Sequence, residues 1–195
     1  MLIVTAPTMY DAKTSHTTIF LAGGISKCWE WQQACLDEIE RLSKEKKVNT
    51  DNMIVYNPRR PYFKTDAKVH EIDEQVQWEY HYLERCDIFS MYFCESESTQ
   101  PICMYELGRN VAKKQQNKDG IDRVVVSAES NYSRYLDVAL QLFCIFGEND
   151  GSKVMTGMND RKALVKDHAR RILEAYMINQ AKKLEWRNYD PNKTV

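Results

Sequence analysis

The stretch "TTIFLAGG", residues 17–24, decides the fold. Its β-branched and apolar residues read as a buried strand, and the glycine pair closes it with a tight turn. The segment that follows, "SKCWEWQQACLDEIERLSKEKK" (26–47), reads as a helix with Trp31, Cys35, Ile39 and Leu42 at helical spacing. A strand, a glycine turn and a helix make the first half of a βαβ unit. The same alternation continues outward. "MLIVTA" (1–6), "NMIVYNP" (52–58), "DIFSMYF" (87–93) and "DRVVVSA" (122–128) are further strands. "VHEIDEQVQWEYHYLERC" (69–86), "ICMYELGRNVAKKQQ" (102–116), "SRYLDVALQLFCIFG" (133–147) and "DRKALVKDHARRILEAYMINQAKKLEW" (160–186) are helices. "PRRPYFKTDAK" (58–68) and "ENDGSKVMTGMND" (148–160) read as surface loops, and "RNYDPNKTV" (187–195) as a polar tail. Near-continuous apolar strands alternating with helices predict an α/β protein with a mainly parallel, five-stranded sheet covered on both faces.

At 195 residues, 43% hydrophobic and 28% charged, the chain suits one globular domain with an appended helix. The expected division is an α/β domain over 1–147, then a linker and C-terminal helical extension over 148–195. Leu164, His168, Ile172 and Ala175 or Tyr176 give that last helix an apolar face for its own domain or a partner subunit. The 27 basic and 28 acidic residues leave a net charge of −1, which argues against a non-specific nucleic-acid binder. No apolar run reaches membrane-spanning length, and the first residues lack a basic leader. Six cysteines without a CxxC pair, and only four histidines, argue against structural zinc and for free thiols in the cytoplasm. "AGG" is not a dinucleotide fingerprint, so no metal and no cofactor is expected.

Ligands of parallel α/β sheets bind beyond the C-terminal ends of the strands. The informative stretches are therefore Gly23–Gly24, Asn57–Arg60, Cys94–Glu106 and Ala128–Tyr132. Two carboxylates stand out. Glu79 lies on the helical stripe of Ile72, Val76 and Leu83, which is expected to face the core. It must either lose water there or reach solvent or an arginine at the helix edge. Glu106 borders the inward stripe of Cys103, Leu107 and Val111. Its helix has Ser98 or Thr99 as a cap and Pro101 in its first turn, and Arg109 offers a surface ion pair. Two carboxylates near apolar stripes are what glycosidic-bond chemistry requires: one attacks or steadies the anomeric carbon, the other protonates the leaving group. Arg59 and Arg60 could meet a phosphate or simply be solvated.

"IFLAGGI" (19–25), "NPRR" (57–60), "QWEYHYLERCDI" (77–88) and "TQPICMYELGR" (99–109), preceded by "IVTAP" (3–7), together resemble the nucleoside 2-deoxyribosyltransferase-like family over about residues 1–146. The resemblance implies a flavodoxin-like, Rossmann-type three-layer sandwich and cleavage or transfer of the N-glycosidic bond of a 2′-deoxynucleoside or its monophosphate. Glu106 occupies the place of the family's nucleophile, which would form a covalent glycosyl-enzyme. Glu79 matches the upstream acidic residue that helps handle base and sugar. The Ala22–Gly24 backbone would line the sugar, with Phe20, Asn57, Arg59, Arg60, Ser98, Thr99 and Gln100 as further substrate-binding positions. Many transferases carry a tyrosine where Phe20 stands and an acid where Gln100 stands; related nucleotide hydrolases place a serine at the latter. The alternatives are a nucleoside 5′-monophosphate N-glycosidase, with water as acceptor, and a non-catalytic nucleotide-binding module. By analogy the partners are a small nucleoside or nucleotide and a second copy of the chain in a homo-oligomer.

Overall fold

The computed structural model describes residues 1–61, 69–116, 123–147 and 154–188. Among these, six strands, β1 (Leu2–Thr5), β2 (Thr17–Gly23), β3 (Met53–Asn57), β4 (Ile88–Phe93), β5 (Val124–Glu129) and β6 (Met155–Met158), accompany five helices. The helices are α1 (Trp31–Glu45), α2 (Val69–Arg85), α3 (Pro101–Gln115), α4 (Tyr135–Phe146) and α5 (Arg161–Asn188). All strand pairs are parallel, in the order β1-β3-β2-β4-β5-β6. From β3 onward this is the flavodoxin-like order, with β1 added at one edge.

Side chains alternate across the sheet as a strand requires. Phe20 and Ala22 of β2 join Phe89, Met91 and Phe93 of β4 on the face covered by α2, α3 and α4. Ile19 and Leu21 join Ile88 and Tyr92 on the other face, under α1 and α5. Right-handed crossovers explain why α1 cannot cover its face alone. The β2-to-β3 connection runs one way across the sheet and puts α1 on one side. The connections from β3 to β4, β5 and β6 run the other way and put α2, α3 and α4 on the opposite side. The α1 side of β4 and β5 would then be bare. The final helix α5 fills that space: Leu164, His168, Ile172, Ala175 and Tyr176 are all buried, against α1 and the sheet.

Two expectations are corrected. The sheet has a sixth strand where a surface loop is expected, because β6 takes its order from its surroundings. It pairs with β5 from Val126↔Met155 to Glu129↔Met158. The guanidinium of Arg171 on α5 donates to Thr156 Oγ1 at 3.1 Å, to Val126 O at 2.9 Å, and to Val154 O. The second correction is the face of α2. Ile72 and Val76 point outward, 53% and 55% exposed, while Gln75, Trp78, Tyr82 and Leu83 are buried. Aromatic packing decides this: Trp78 meets Phe20 and Tyr56, and Tyr56 stacks on Tyr82 with ring centroids 3.9 Å apart. The loop and tail expected at 62–68, 148–153 and 189–195 lie outside the described residues. Among the described residues no helix is long and apolar enough to cross a membrane.

Candidate active site

The direction of the chain across the sheet reverses between β2 and β4, so a crevice opens at their C-terminal ends. The turn after β2 forms one wall. Gly23 has φ +149°, and a Cβ there would lie 2.3 Å from Tyr92 O and 2.6 Å from the Trp31 ring, so only glycine lets the turn lie against β4. Gly24 donates its N–H to Tyr92 O at 3.3 Å and accepts from Trp31 Nε1 at 2.9 Å. A Cβ on Gly24 would meet Gln100 Oε1 at 2.5 Å. The loop after β4 forms the facing wall. Gln100, 5% exposed and left-handed at φ 51°, precedes α3. Its amide donates to Cys94 O at 2.7 Å and accepts from Cys94 N at 3.4 Å, which folds the 94–100 loop onto its own strand. Neither Ser98 nor Thr99 caps α3 as expected. Gln100 holds the N-cap position without a side-chain cap bond, and Ser98 Oγ accepts from Gln100 N at 3.1 Å.

Between these walls lies a cleft of about 190 Å³ lined by Phe20, Ala22, Gly23, Gly24, Ser98 and Gln100, with Glu79 from α2 and Glu106 from α3. Both carboxylates are half-buried. Gln75 Nε2 donates to Glu79 Oε1 at 2.7 Å and to Pro58 O at 2.8 Å, and Gln75 Oε1 accepts from Arg60 Nε at 2.6 Å. Burial raises the Glu79 pKa, with the Gln75 hydrogen bond and the Arg60 charge opposing. Glu106 goes further. Burial first, and the charge of Glu79 second, push its pKa up to about 8. Among the described residues nothing donates a hydrogen bond to the Glu106 carboxylate. Arg109, which could have formed a surface ion pair with it, pairs with Glu84 and lies over the Tyr80 ring at 4.6 Å. Two interacting carboxylates with raised pKa values titrate as one unit and hold one proton between them over an intermediate pH range.

Eight of the expected positions thus meet at one cleft: Phe20, Ala22, Gly23, Gly24, Ser98, Gln100, Glu79 and Glu106. Asn57, Arg59, Arg60 and Thr99 stand outside its wall. Asn57 Oδ1 accepts from Arg59 N at 3.0 Å and shapes the loop after β3. The Arg59 guanidinium ties down the loop after β2, donating to Ile25 O, Cys28 O and Trp29 O at 3.0–3.2 Å and to Gln32 Oε1 at 2.9 Å. That loop keeps α1 from starting before Trp31. Arg60 serves Gln75 and pairs with Glu74 at 3.0 Å. Thr99 O accepts from Tyr132 OH at 2.7 Å. Sequence reasoning missed Gln75, which orients Glu79 from one helical turn away; the i, i+4 spacing was its signal. It also missed Ser26, Ile102 and the buried Cys103 as cleft wall. Among the described residues no cluster of three or more His, Cys, Asp or Glu side chains is placed to hold a metal ion.

No match to the chain was found among curated proteins. A family model described as nucleoside 2-deoxyribosyltransferase like matches residues 16–118, from the start of β2 to just past α3, which is the segment that builds the cleft and carries both carboxylates. With more than half its length matched, the chain belongs to the nucleoside 2-deoxyribosyltransferase-like family.

Proposed function

We propose that the protein cleaves the N-glycosidic bond of a 2′-deoxynucleoside through a covalent intermediate on Glu106. The observation that carries this reading is the pair Glu79 and Glu106. Both line one small cleft at the switch point, both have raised pKa values, and among the described residues no cation bonds to Glu106. The reaction proceeds in two displacements. The Glu106 carboxylate attacks C1′ of the sugar as the C1′–N bond breaks. The bonding pair leaves on the base nitrogen, and the proton shared by the carboxylate pair neutralises it. A second base, or water, then attacks C1′, the ester to Glu106 breaks, and the incoming nucleophile returns a proton to the pair. In the free protein the Gln75 hydrogen bond favours charge on Glu79 and leaves the shared proton on Glu106. Attack therefore requires that proton to move to Glu79 or the base, so rate depends on a pair carrying one proton.

The cleft volume supports a sugar-sized occupant, since pockets for whole drug-sized ligands run about 300–1,000 Å³. The base would extend toward the open side, where Ile102 stands 65% exposed. A 5′-monophosphate substrate is favoured by one feature. Ser98 lies at the cleft beside the N-terminus of α3, which no side chain caps and which suits an anion. Arg59 and Arg60, committed to the fold, do not favour it. The test is turnover of a panel of deoxynucleosides and their monophosphates, with and without a second free base. Base exchange identifies a transferase, and free sugar alone a hydrolase. Glu106→Ala is expected to lose at least about 100-fold in kcat/KM on the best substrate. Full activity in that variant contradicts the assignment, and binding without turnover across the panel supports a non-catalytic nucleotide-binding module.

A further inference from the structure

Two of the six cysteines meet behind the cleft wall. Cys28 lies in the loop between β2 and α1, and Cys94 directly follows β4. Cys94 is fully buried in the core under α1 and α5, and the half-buried Cys28 packs against that same cluster. We propose that Cys28 and Cys94 are a peroxide-reactive thiol pair: Cys28 is oxidised first, and Cys94 closes a disulfide on it.

The backbone brings the pair together. Gly24 N donates to Tyr92 O at 3.3 Å, which draws the loop after β2 against the end of β4. Cys28 Sγ then lies over Gly24, 2.4 Å from where a Cβ would stand, and Gln100 Oε1 is 2.5 Å from the same point. Gln100 in turn grips Cys94 through both its N and its O. Cys28 N donates to Ile25 O at 3.2 Å, and Cys28 O accepts from the Arg59 guanidinium at 3.2 Å, so the loop is held in place. The Cys94 thiol donates a hydrogen bond to the Cys28 sulfur. That bond is the largest cause bringing the Cys28 pKa down to about 7; burial opposes it, and Ser96 and the Arg59 charge add to it. The same contact and burial raise the Cys94 pKa, so Cys94 keeps its proton. A reachable thiolate beside a buried thiol is the arrangement that redox chemistry uses. The other thiols are placed elsewhere. Cys86 and Cys103 belong to the core on the opposite face of the sheet, Cys35 is buried within α1, and Cys144 is exposed on α4. In the first step the Cys28 thiolate attacks one oxygen of a hydroperoxide. The O–O bond breaks, and the other oxygen leaves as an alcohol or water with the thiol proton, giving a sulfenic acid. The Cys94 sulfur then attacks the Cys28 sulfur. The S–O bond breaks, and the hydroxyl leaves as water with the Cys94 proton, which already points at that site. The two thiols lose two electrons and the hydroperoxide gains them. Closing the bridge brings the sulfurs to about 2.05 Å. Neither cysteine lies within a helix or strand, so the two loops can absorb the movement. The bridge joins the loop after β2 to the loop after β4, the two walls of the cleft.

The experiment treats the full chain with stoichiometric hydrogen peroxide, alkylates the remaining thiols, and maps the unreduced peptides by mass spectrometry. One cross-linked pair joining Cys28 to Cys94 is expected, with a loss of two hydrogens from the intact protein and full reversal by dithiothreitol. The mapping uses the unaltered chain, so it does not depend on a variant folding. Cys28→Ser, in a loop, is expected to lose the cross-link and to leave Cys94 reduced at the same peroxide dose. Cys94→Ala is expected to stop at the first step, with a sulfenic acid on Cys28 that dimedone traps. Thermal melts check that both variants fold. Oxidation confined to Cys144 would overturn the proposal. So would a bridge from Cys28 to another cysteine, a sulfinic acid on Cys28 of the unaltered chain without a bridge, or six thiols left intact. None of these outcomes bears on Glu106, so the redox pair and the proposed reaction stand or fall separately.

Discussion

The carboxylate that the proposed reaction uses as nucleophile, Glu106, lowers the stability of the fold at alkaline pH. Its folded-state pKa of about 8 lies above the ordinary 4.5, so between these values the folded chain binds more protons than the unfolded one. Stability therefore falls as pH rises from 4.5 toward 8, and the cost is complete above 8. Glu106→Gln removes that cost. The variant is expected to be inactive yet more stable than the parent at pH 8.5 by on the order of 1–2 kcal/mol, with the gain vanishing near pH 4. Urea unfolding at the two pH values measures it. Glu79→Gln acts on the same coupling from the other side. The Glu79 charge is the second cause of the Glu106 shift, so its loss lowers the Glu106 pKa. Where activity survives, the alkaline limb of kcat/KM, near pH 8 in the parent, is expected to move to lower pH. The glycines give a contrast in packing. Gly23→Ala drives a Cβ into backbone and is expected to cost roughly 2–4 kcal/mol, whereas Gly108→Ala, in open space on α3, is expected to stabilise by about 0.5–1 kcal/mol.

At the scale of elements, α5 shows how a helix that the family match does not cover becomes part of the core. His168 bridges two strands, with Nε2 at 2.7 Å from Ser90 Oγ and Nδ1 at 2.8 Å from Ser127 Oγ. Burial, aided by Arg171, lowers its pKa from 6.5 to about 3, so it is neutral in the fold. The unfolded chain takes up a proton below pH 6.5 and the folded chain does not, so stability falls as pH drops from 6.5 toward 3. His168→Asn is expected to be less stable than the parent at pH 7 but to show a flatter loss between pH 6.5 and 4.5, as read by denaturant midpoints. The elements differ in how legible they were. α1 and α3 carry aliphatic stripes, and Cys35, Ile39, Leu107 and Val111 are buried as their spacing implies. In α2 the stripe of Ile72 and Val76 misleads, because the larger aromatic area of Trp78 and Tyr82 wins the buried side. Glu79 reaches the cleft regardless, being adjacent to Trp78 in sequence. β6 carries a threonine and a glycine in four residues and owes its place to Arg171, a contact that no local pattern displays.

For the whole molecule, the face that each helix covers follows from strand order and handedness, and the cleft follows from the order. Which residues reach the cleft does not. Arg59 and Arg60 have the chemistry of phosphate ligands, yet their guanidinium groups are consumed by the loop after β2 and by Gln75. A sequence shows which donors exist and not which acceptors claim them first. The two faces of the sheet should also unfold together. Ile172→Ala on α5 and Ile39→Ala on α1, both fully buried, are each expected to cost about 2–5 kcal/mol in a single transition seen alike by near- and far-ultraviolet dichroism. The proposed reaction turns on one bond, between Glu106 and a sugar carbon. Its most direct test is mass spectrometry of the protein acid-quenched during turnover of a deoxynucleoside, with peptide mapping. One 2-deoxyribosyl group is expected, esterified to the peptide containing Glu106 and absent from Glu106→Gln. Turnover with no adduct, or an adduct on another residue, would contradict it.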